Sequence, residues 1–302
     1  MRRKLVLVHG RSQQHKEPVA LKAEWSDAFK AGLAKSKLPM PLDDADIRFP
    51  FYGDTLYDLV DGRSVEEAAK VIVRGAADDS EEAAFTRDLL AEIRTQAGIT
   101  DAQIAAVGGQ QVVERGIQNV EWIQACLSAI DRYVPHGSGA AVALFTRDVY
   151  RYLKDTAIRQ EIETGVAGAM TPGVETVVVS HSLGTVVAYN LLQREGKKQN
   201  WQVPLFVTLG SPIAITSIRK TLTGFATARC PPCVARWFNA MDPRDVVALY
   251  PLAPAHFPLN PVEPAIQNKT DVVNGTSNRH GISGYLDDQE VARTIYDALM
   301  AT

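Results

Sequence analysis

Cysteine is scarce in this sequence: Cys126, Cys230 and Cys233 are the three among 302 residues. An odd, sparse set of thiols makes no disulfide framework and points to a reducing compartment, the cytoplasm. An excess of charge is lacking too. The 32 Lys and Arg against 35 Asp and Glu leave a formal charge of -3, which offers no basic footprint for nucleic acid. No apolar run free of polar residues reaches the ~20 residues a membrane span needs. The basic opening Met1-Arg2-Arg3-Lys4 leads into Leu5–Val8 and then His9-Gly10, an apolar stretch too short for a signal-peptide core. Neither H-E-x-x-H nor a dinucleotide fingerprint occurs. Cys230-Pro231-Pro232-Cys233 has neither thioredoxin-like surroundings nor two further ligands at zinc spacing. No metal and no cofactor are therefore expected. Two glycosylation acceptor patterns, at Asn268 and Asn274, carry no meaning in a cytoplasmic chain.

What is present is a globular composition, 46% apolar and 22% charged, in a chain long enough for one large α/β domain with an insertion. Lys4–Gly10 has the pattern of a buried strand ending in a glycine turn. Glu17–Lys35 follows as an amphipathic helix with Leu21, Trp25, Ala28, Phe29 and Leu33 on one side. Asp46–Tyr52 is expected as the next strand. From residue 64 to about 169 strand signals fade and helical ones dominate. The last of them, Arg147–Val166, is expected to be the crossover helix, and residues 64–146 a helical insertion serving either as a cap over the site or as plain scaffold. Gly137–Ala141 is expected as a hinge or tight turn. Val203–Leu209 and Arg236–Ala240 are further strands, Pro251–Pro264 is too rich in proline for regular structure, and Leu286–Met300 is a closing helix. Strands alternating with helices predict an α/β class with a mostly parallel sheet.

The stretch that organises the chain is Thr176–Leu192. A β-branched run, Val177-Val178-Val179, is followed by Ser180-His181-Ser182-Leu183-Gly184 and then by apolar residues at helical spacing, Val187, Ala188, Leu191 and Leu192. Strand, sharp turn and helix with a serine at the bend make the context of a nucleophile elbow. A side chain at Gly184 would crowd that bend, and Ser180 stands where the first glycine of G-x-S-x-G usually stands.

This segment resembles the α/β-hydrolase superfamily, and its lipase and esterase members in particular. The resemblance implies an α/β-hydrolase fold: a mostly parallel sheet flanked by helices, here with a helical insertion that could act as cap or lid. It also implies a chain order of serine, acid, histidine. Downstream of Ser182 stand His256, in the proline-rich loop, and His280, in a turn just before the last helix. The family's catalytic histidine comes at the second of these places, so His280 is the expected base. The acid is expected after the strand at 236–240, where Asp242 and Asp245 both occur; Asp245-Val246-Val247 fits the family pattern better, and Asp242 precedes a proline and suits a turn. The oxyanion donors implied are the amides of Leu183 and of Arg11, with Ser12 as fallback. His181, Ser180 and Ser211 are expected to be structural, and Phe49, Phe51, Tyr52 and Tyr57 are weighed as a pocket lining against plain core.

The chemistry so implied is an acyl-enzyme serine hydrolase acting on carboxylic esters, with a small-molecule or lipid acyl ester as substrate and transient contact with a membrane surface. An acyltransferase or thioesterase would use the same residues. A hydrolase-fold module with a broken triad would serve binding instead, and a helical insertion used as an interaction surface would serve regulation by a partner.

Overall fold

The computed structural model describes residues 3–10, 17–52, 81–117, 120–224 and 226–301. Strand β1 (Lys4–Val8) leads to helix α1 (Pro18–Lys35) and, after a short 3-10 turn, to β2 (Ile47–Arg48). A run of helices follows: α2 (Glu81–Gln96), α3 (Asp101–Gly108), α4 (Gln110–Arg115), α5 (Val120–Tyr133), α6 (Gly139–Lys154) and α7 (Thr156–Ala169). The chain then returns to the sheet with β3 (Thr176–His181), α8 (Leu183–Glu195), β4 (Phe206–Leu209), α9 (Thr216–Thr223), β5 (Trp237–Ala240) and β6 (Ile266–Lys269), and closes with α10 (Ile282–Leu286) and α11 (Gln289–Met300).

The six strands form one sheet in the order β2-β1-β3-β4-β5-β6, every neighbouring pair parallel. This is an α/β fold with helices on both faces. All six residues of β3 are buried, as a central strand covered on two sides demands. Alternation then sorts the side chains. Leu5, Leu7, Val177, Val179, Val207 and Leu209 pack with α1 and α11 on one face. Val6, Val8, Val178 and Phe206 pack on the other face with α8 and the helical run α2–α7. On the first face the expected stripe of α1, Leu21, Trp25, Ala28, Phe29 and Leu33, is buried, and Pro18 occupies the first helical position, where its missing N–H costs nothing.

The strand order has a functional consequence. From β1 the chain steps outward to β2, and from β2 it crosses back over β1 to β3. The sequence therefore reverses direction between β1 and β3, and the crevice at the carboxyl ends of those two strands is where open α/β sheets place ligands.

Several expectations need correction. The crossover expected as one helix over Arg147–Val166 is two, α6 and α7, parted at Asp155, whose side chain caps α7 by accepting from Ala157 and Ile158. Residue 146, the expected end of the insertion, lies inside α6, whose N-cap is Ser138, and of the hinge or tight turn expected at Gly137–Ala141, residues 139–141 are the first turn of that helix. The expected closing helix over Leu286–Met300 is α11, which starts only at Gln289 because Asp288 caps it, the short α10 having ended at Leu286. The strand expected over Asp46–Tyr52 is only Ile47–Arg48, with Pro50 close behind. Strand β6 has no counterpart in the sequence reading: Ile266-Gln267-Asn268-Lys269 carries one apolar residue and none of the usual strand pattern. The helical signal at residues 65–73 lies outside the described residues. Among the described residues no helix is long and apolar enough to cross a membrane.

Candidate active site

The bend after β3 is sharp because Ser182 takes φ 55° and ψ -130°, a region costly for any residue with a Cβ, of order 1–3 kcal/mol. The conformation is held from both sides. Its N–H continues the ladder to Leu209 O at 3.1 Å, and its carbonyl accepts from the Thr185 hydroxyl at 2.7 Å, which also meets Ser211 at 2.8 Å. Close approach of α8 to the sheet makes the tight turn feasible. A Cβ on Gly184 would stand 2.4 Å from the carbonyl oxygens of Val8 and His9, and one on Gly10 would stand 2.7 Å from the Ser182 Cβ. Ser180, in the place of the usual glycine, is fully buried and donates to Val207 O at 2.9 Å.

Ser182, His280 and Asp245 come together although they lie far apart in the chain. The Ser182 Oγ stands 2.8 Å from His280 Nε2, and His280 Nδ1 stands 2.7 Å from Asp245 Oδ2. An ionised carboxylate can only accept, so the proton of a neutral His280 sits on Nδ1 and Nε2 is left to accept from the serine hydroxyl. Burial pushes the Asp245 carboxyl up, but the His280 ring, the Tyr285 hydroxyl at 2.6 Å and the Val247 amide at 2.8 Å outweigh it, holding the group below the usual carboxylate range.

Asp242, the other carboxylate weighed for that place, does different work. Its Oδ1 accepts from the backbone and Nε of Arg244 at 2.8 and 2.9 Å, and its Oδ2 accepts from the Asn274 N–H at 2.8 Å. Asn274 in turn donates from Nδ2 to Gly281 O at 2.8 Å. Asp242 therefore ties the β5 turn to the loop that carries His280. Burial alone would raise its carboxyl, and the Arg244 and Asn274 bonds bring it below its ordinary value.

The seat of His280 is finished by residues the sequence reading set down as structural or passed over. His181 Nε2 donates to His280 O at 2.7 Å. Burial, with the neighbouring His280 second, lowers His181 to about 3, so it remains neutral at physiological pH. Gly210, at φ 55°, lies under the imidazole: a Cβ there would stand 3.2 Å from His280 Nδ1 and Cε1 and 3.0 Å from Tyr285. His256, the other downstream histidine, stacks on Tyr250 instead. Leu183 is the first residue of α8, where N–H groups have no intrahelical acceptor. Arg11, Ser12 and Tyr57 lie outside the described residues.

A cavity of about 240 Å³ opens on Ser182 and His280, with Val142 and Phe145 of α6 and Val246, Val247 and Ile282 as its apolar wall. Three of the four aromatic residues weighed for that wall are elsewhere. Phe49, Phe51 and Tyr52 surround the buried His9 ring, whose Nε2 accepts from the Tyr52 N–H at 3.1 Å and which burial lowers to about 4. Among the described residues no group of three or more His, Cys, Asp or Glu is placed to hold a metal ion.

No protein-family model matches the chain, and no curated protein or solved structure matches it. Any functional reading therefore rests on the local geometry: a strained serine at the end of a central strand, an imidazole aimed at its hydroxyl, and a buried carboxylate behind the imidazole.

Proposed function

We propose that this protein is a serine hydrolase of the α/β-hydrolase kind that cleaves carboxylic esters through an acyl-enzyme on Ser182. The single observation that carries the reading is the relay of 2.8 and 2.7 Å from Ser182 through His280 to Asp245. A neutral serine is a weak nucleophile and needs a base that is itself oriented. In this reading His280 Nε2 takes the Ser182 proton as Oγ attacks the ester carbonyl. Asp245 keeps the ring in the reactive tautomer and stabilises the imidazolium. The Leu183 N–H, at the positive end of α8, meets the developing oxyanion, with Arg11 as the second donor implied by the resemblance. Collapse of the tetrahedral intermediate breaks the bond to the alcohol oxygen, which leaves with the proton from His280. A water then repeats the sequence on the acyl-enzyme and releases the acid.

The wall of Val142, Phe145, Val246, Val247 and Ile282 supports an apolar acyl group as the substrate's reacting arm. The expected cap would then contribute through α6, which supplies two of those residues. Three free cysteines favour a reducing cytoplasm as its place of work. The test is labelling with a fluorophosphonate probe alongside hydrolysis of a series of chromogenic acyl esters. Labelling and turnover that vanish in Ser182→Ala are expected. A wild-type protein that takes no label and turns over no ester would overturn the reading.

A further inference from the structure

A second and larger cavity, of about 340 Å³, adjoins the one over Ser182. It is lined by Pro135, His136, Arg244, Asp245, Val246 and Arg279 among others. His136 and Val246 belong to both walls, so the two spaces are neighbours divided by one imidazole and one valine. Resting on the hydrolase reading, we propose that this cavity is a subsite for an anionic group, a carboxylate or phosphate, carried on one arm of the ester substrate, and that Arg279 is the residue that selects it.

The charge balance carries the inference. Arg279 makes no ion pair among the described residues. Its Nη1 donates to Asn274 O at 3.0 Å and its Nη2 faces His136 Nε2 at 3.4 Å, which uses two of the five N–H groups of a guanidinium. Arg244 is half-exposed above Asp242, which is fully buried beneath it. The carboxylate that does line this wall, Asp245, is itself buried and fully engaged: His280 and Tyr285 hold Oδ2, and the Val247 and Ala248 amides hold Oδ1. Glu24 borders the serine cavity rather than this one, and has a partner of its own. What the larger cavity presents to a ligand is thus two arginines and an imidazole, with the matching carboxylates behind them. A guanidinium fork with unused N–H groups matches carboxylate and phosphate oxygens in a way that neutral esters cannot use.

The position of Arg279 directly before His280 explains how recognition would couple to reaction. An anion drawn to residue 279 brings the ester it belongs to alongside residue 280. Binding energy from a remote group then fixes the orientation of the scissile bond.

The experiment compares matched esters. p-Nitrophenyl butyrate is set against the mono-p-nitrophenyl ester of glutaric acid, which carries a carboxylate on the acyl arm. Butyrylglycerol is set against butyrylglycerol 3-phosphate, which carries a phosphate on the alcohol arm. The readout is the ratio of kcat/KM, anionic over neutral, within each pair. The wild type is expected to favour the anionic member of at least one pair by about tenfold, as a single well-made charge-assisted contact gives. The preference should fall toward unity in Arg279→Gln, recover in part in Arg279→Lys, and shrink as salt is added. A merely structural role for Arg279 would lower both rates of a pair alike and leave the ratio unchanged. Equal rates for both members of both pairs, or a preference that survives Arg279→Gln, overturn the subsite. Failure of the hydrolase reading is seen separately, as no Ser182-dependent turnover of any of the four esters. The subsite is then decided by thermal shift with glutarate and glycerol 3-phosphate: an Arg279-dependent shift supports it, and no shift with either overturns it.

Discussion

Two regions deliver the groups of the proposed relay, and they do so by different physics. The elbow at Ser180–Gly184 is assembled by backbone packing. A buried strand, a strained serine and a helix held against the sheet by a missing side chain place the hydroxyl, with the backbones of Val8, His9 and Leu209 behind them. The turn at Asp242–Ala248 and the loop at Asn274–Ile282 are assembled at long range, by a net running from Asp242 to Asn274 to Gly281 and from Tyr285 to Asp245. Backbone sterics write the first region and polar satisfaction writes the second. The elbow should therefore fail through crowding, and the loops through loss of a single hydrogen bond.

The sharpest test of the contrast is removal of the hydroxyl itself. Ser182→Ala relieves no packing and should reduce kcat on the order of 10⁴-fold or more, with the urea midpoint little changed. Asp245→Asn should follow, at about 10⁴-fold in kcat, because an amide can donate to Nδ1 and so favours the wrong tautomer of His280. Asp242→Asn separates the two carboxylates. It weakens the charge-assisted bonds to Arg244 and Asn274 and should lower stability by about 1–3 kcal/mol, read from urea unfolding, with a far smaller fall in kcat than Asp245→Asn. Equal kcat losses from the two changes would erase the distinction drawn between them. Gly184→Ala probes the elbow from the other side. With two backbone oxygens 2.4 Å from the new Cβ, it should cost about 1–3 kcal/mol by forcing α8 from the sheet, and unchanged stability would break the steric account.

The last test is one of pH. His9 at about 4 and His181 at about 3 both lie below the 6.5 of an unfolded histidine. The unfolded chain therefore binds protons that the folded chain refuses. Stability is fully present above pH 6.5 and is lost as the pH falls toward 4, at ~1.4 kcal/mol per pH unit for each histidine. Asp245 and Asp242, held below their ordinary values, extend the loss at lower pH. Urea unfolding at pH 7 and pH 5 should show this slope, and His9→Gln should reduce it by one histidine's share. An equal slope in the variant would mean that protonation of the buried His9 is not what the acid limb measures.

How much could be read from the residues alone follows the same divide. Val177-Val178-Val179 and the apolar spacing after Gly184 announce a strand and a helix without outside help, so the bend and its serine were legible. The paired aspartates at 242 and 245 are three residues apart in one turn, and the local sequence favours Asp245 only through the family pattern and the proline after Asp242; the Tyr285 hydroxyl and the Asn274 amide that separate their tasks arrive from forty and thirty-two residues away. Strand β6 escaped because Gln267, Asn268 and Lys269 are polar, and its pairing with β5 supplies what propensity does not. The break at Asp155 did carry a signal, an aspartate at an N-cap position, which continuous helical periodicity on either side concealed. The pairing of Arg279 with His136 joins positions 143 residues apart and has no local trace.

Gly210 turns an empty volume into a point of control. The imidazole of residue 280 rests against hydrogen where any other amino acid would put carbon, on a backbone that already favours glycine. One methyl group at that place would nudge the ring by a few tenths of an ångström, enough to lengthen its reach to the serine while every charge and every polar partner stayed in position. The proposed relay would then be uncoupled without any change to the three side chains that form it.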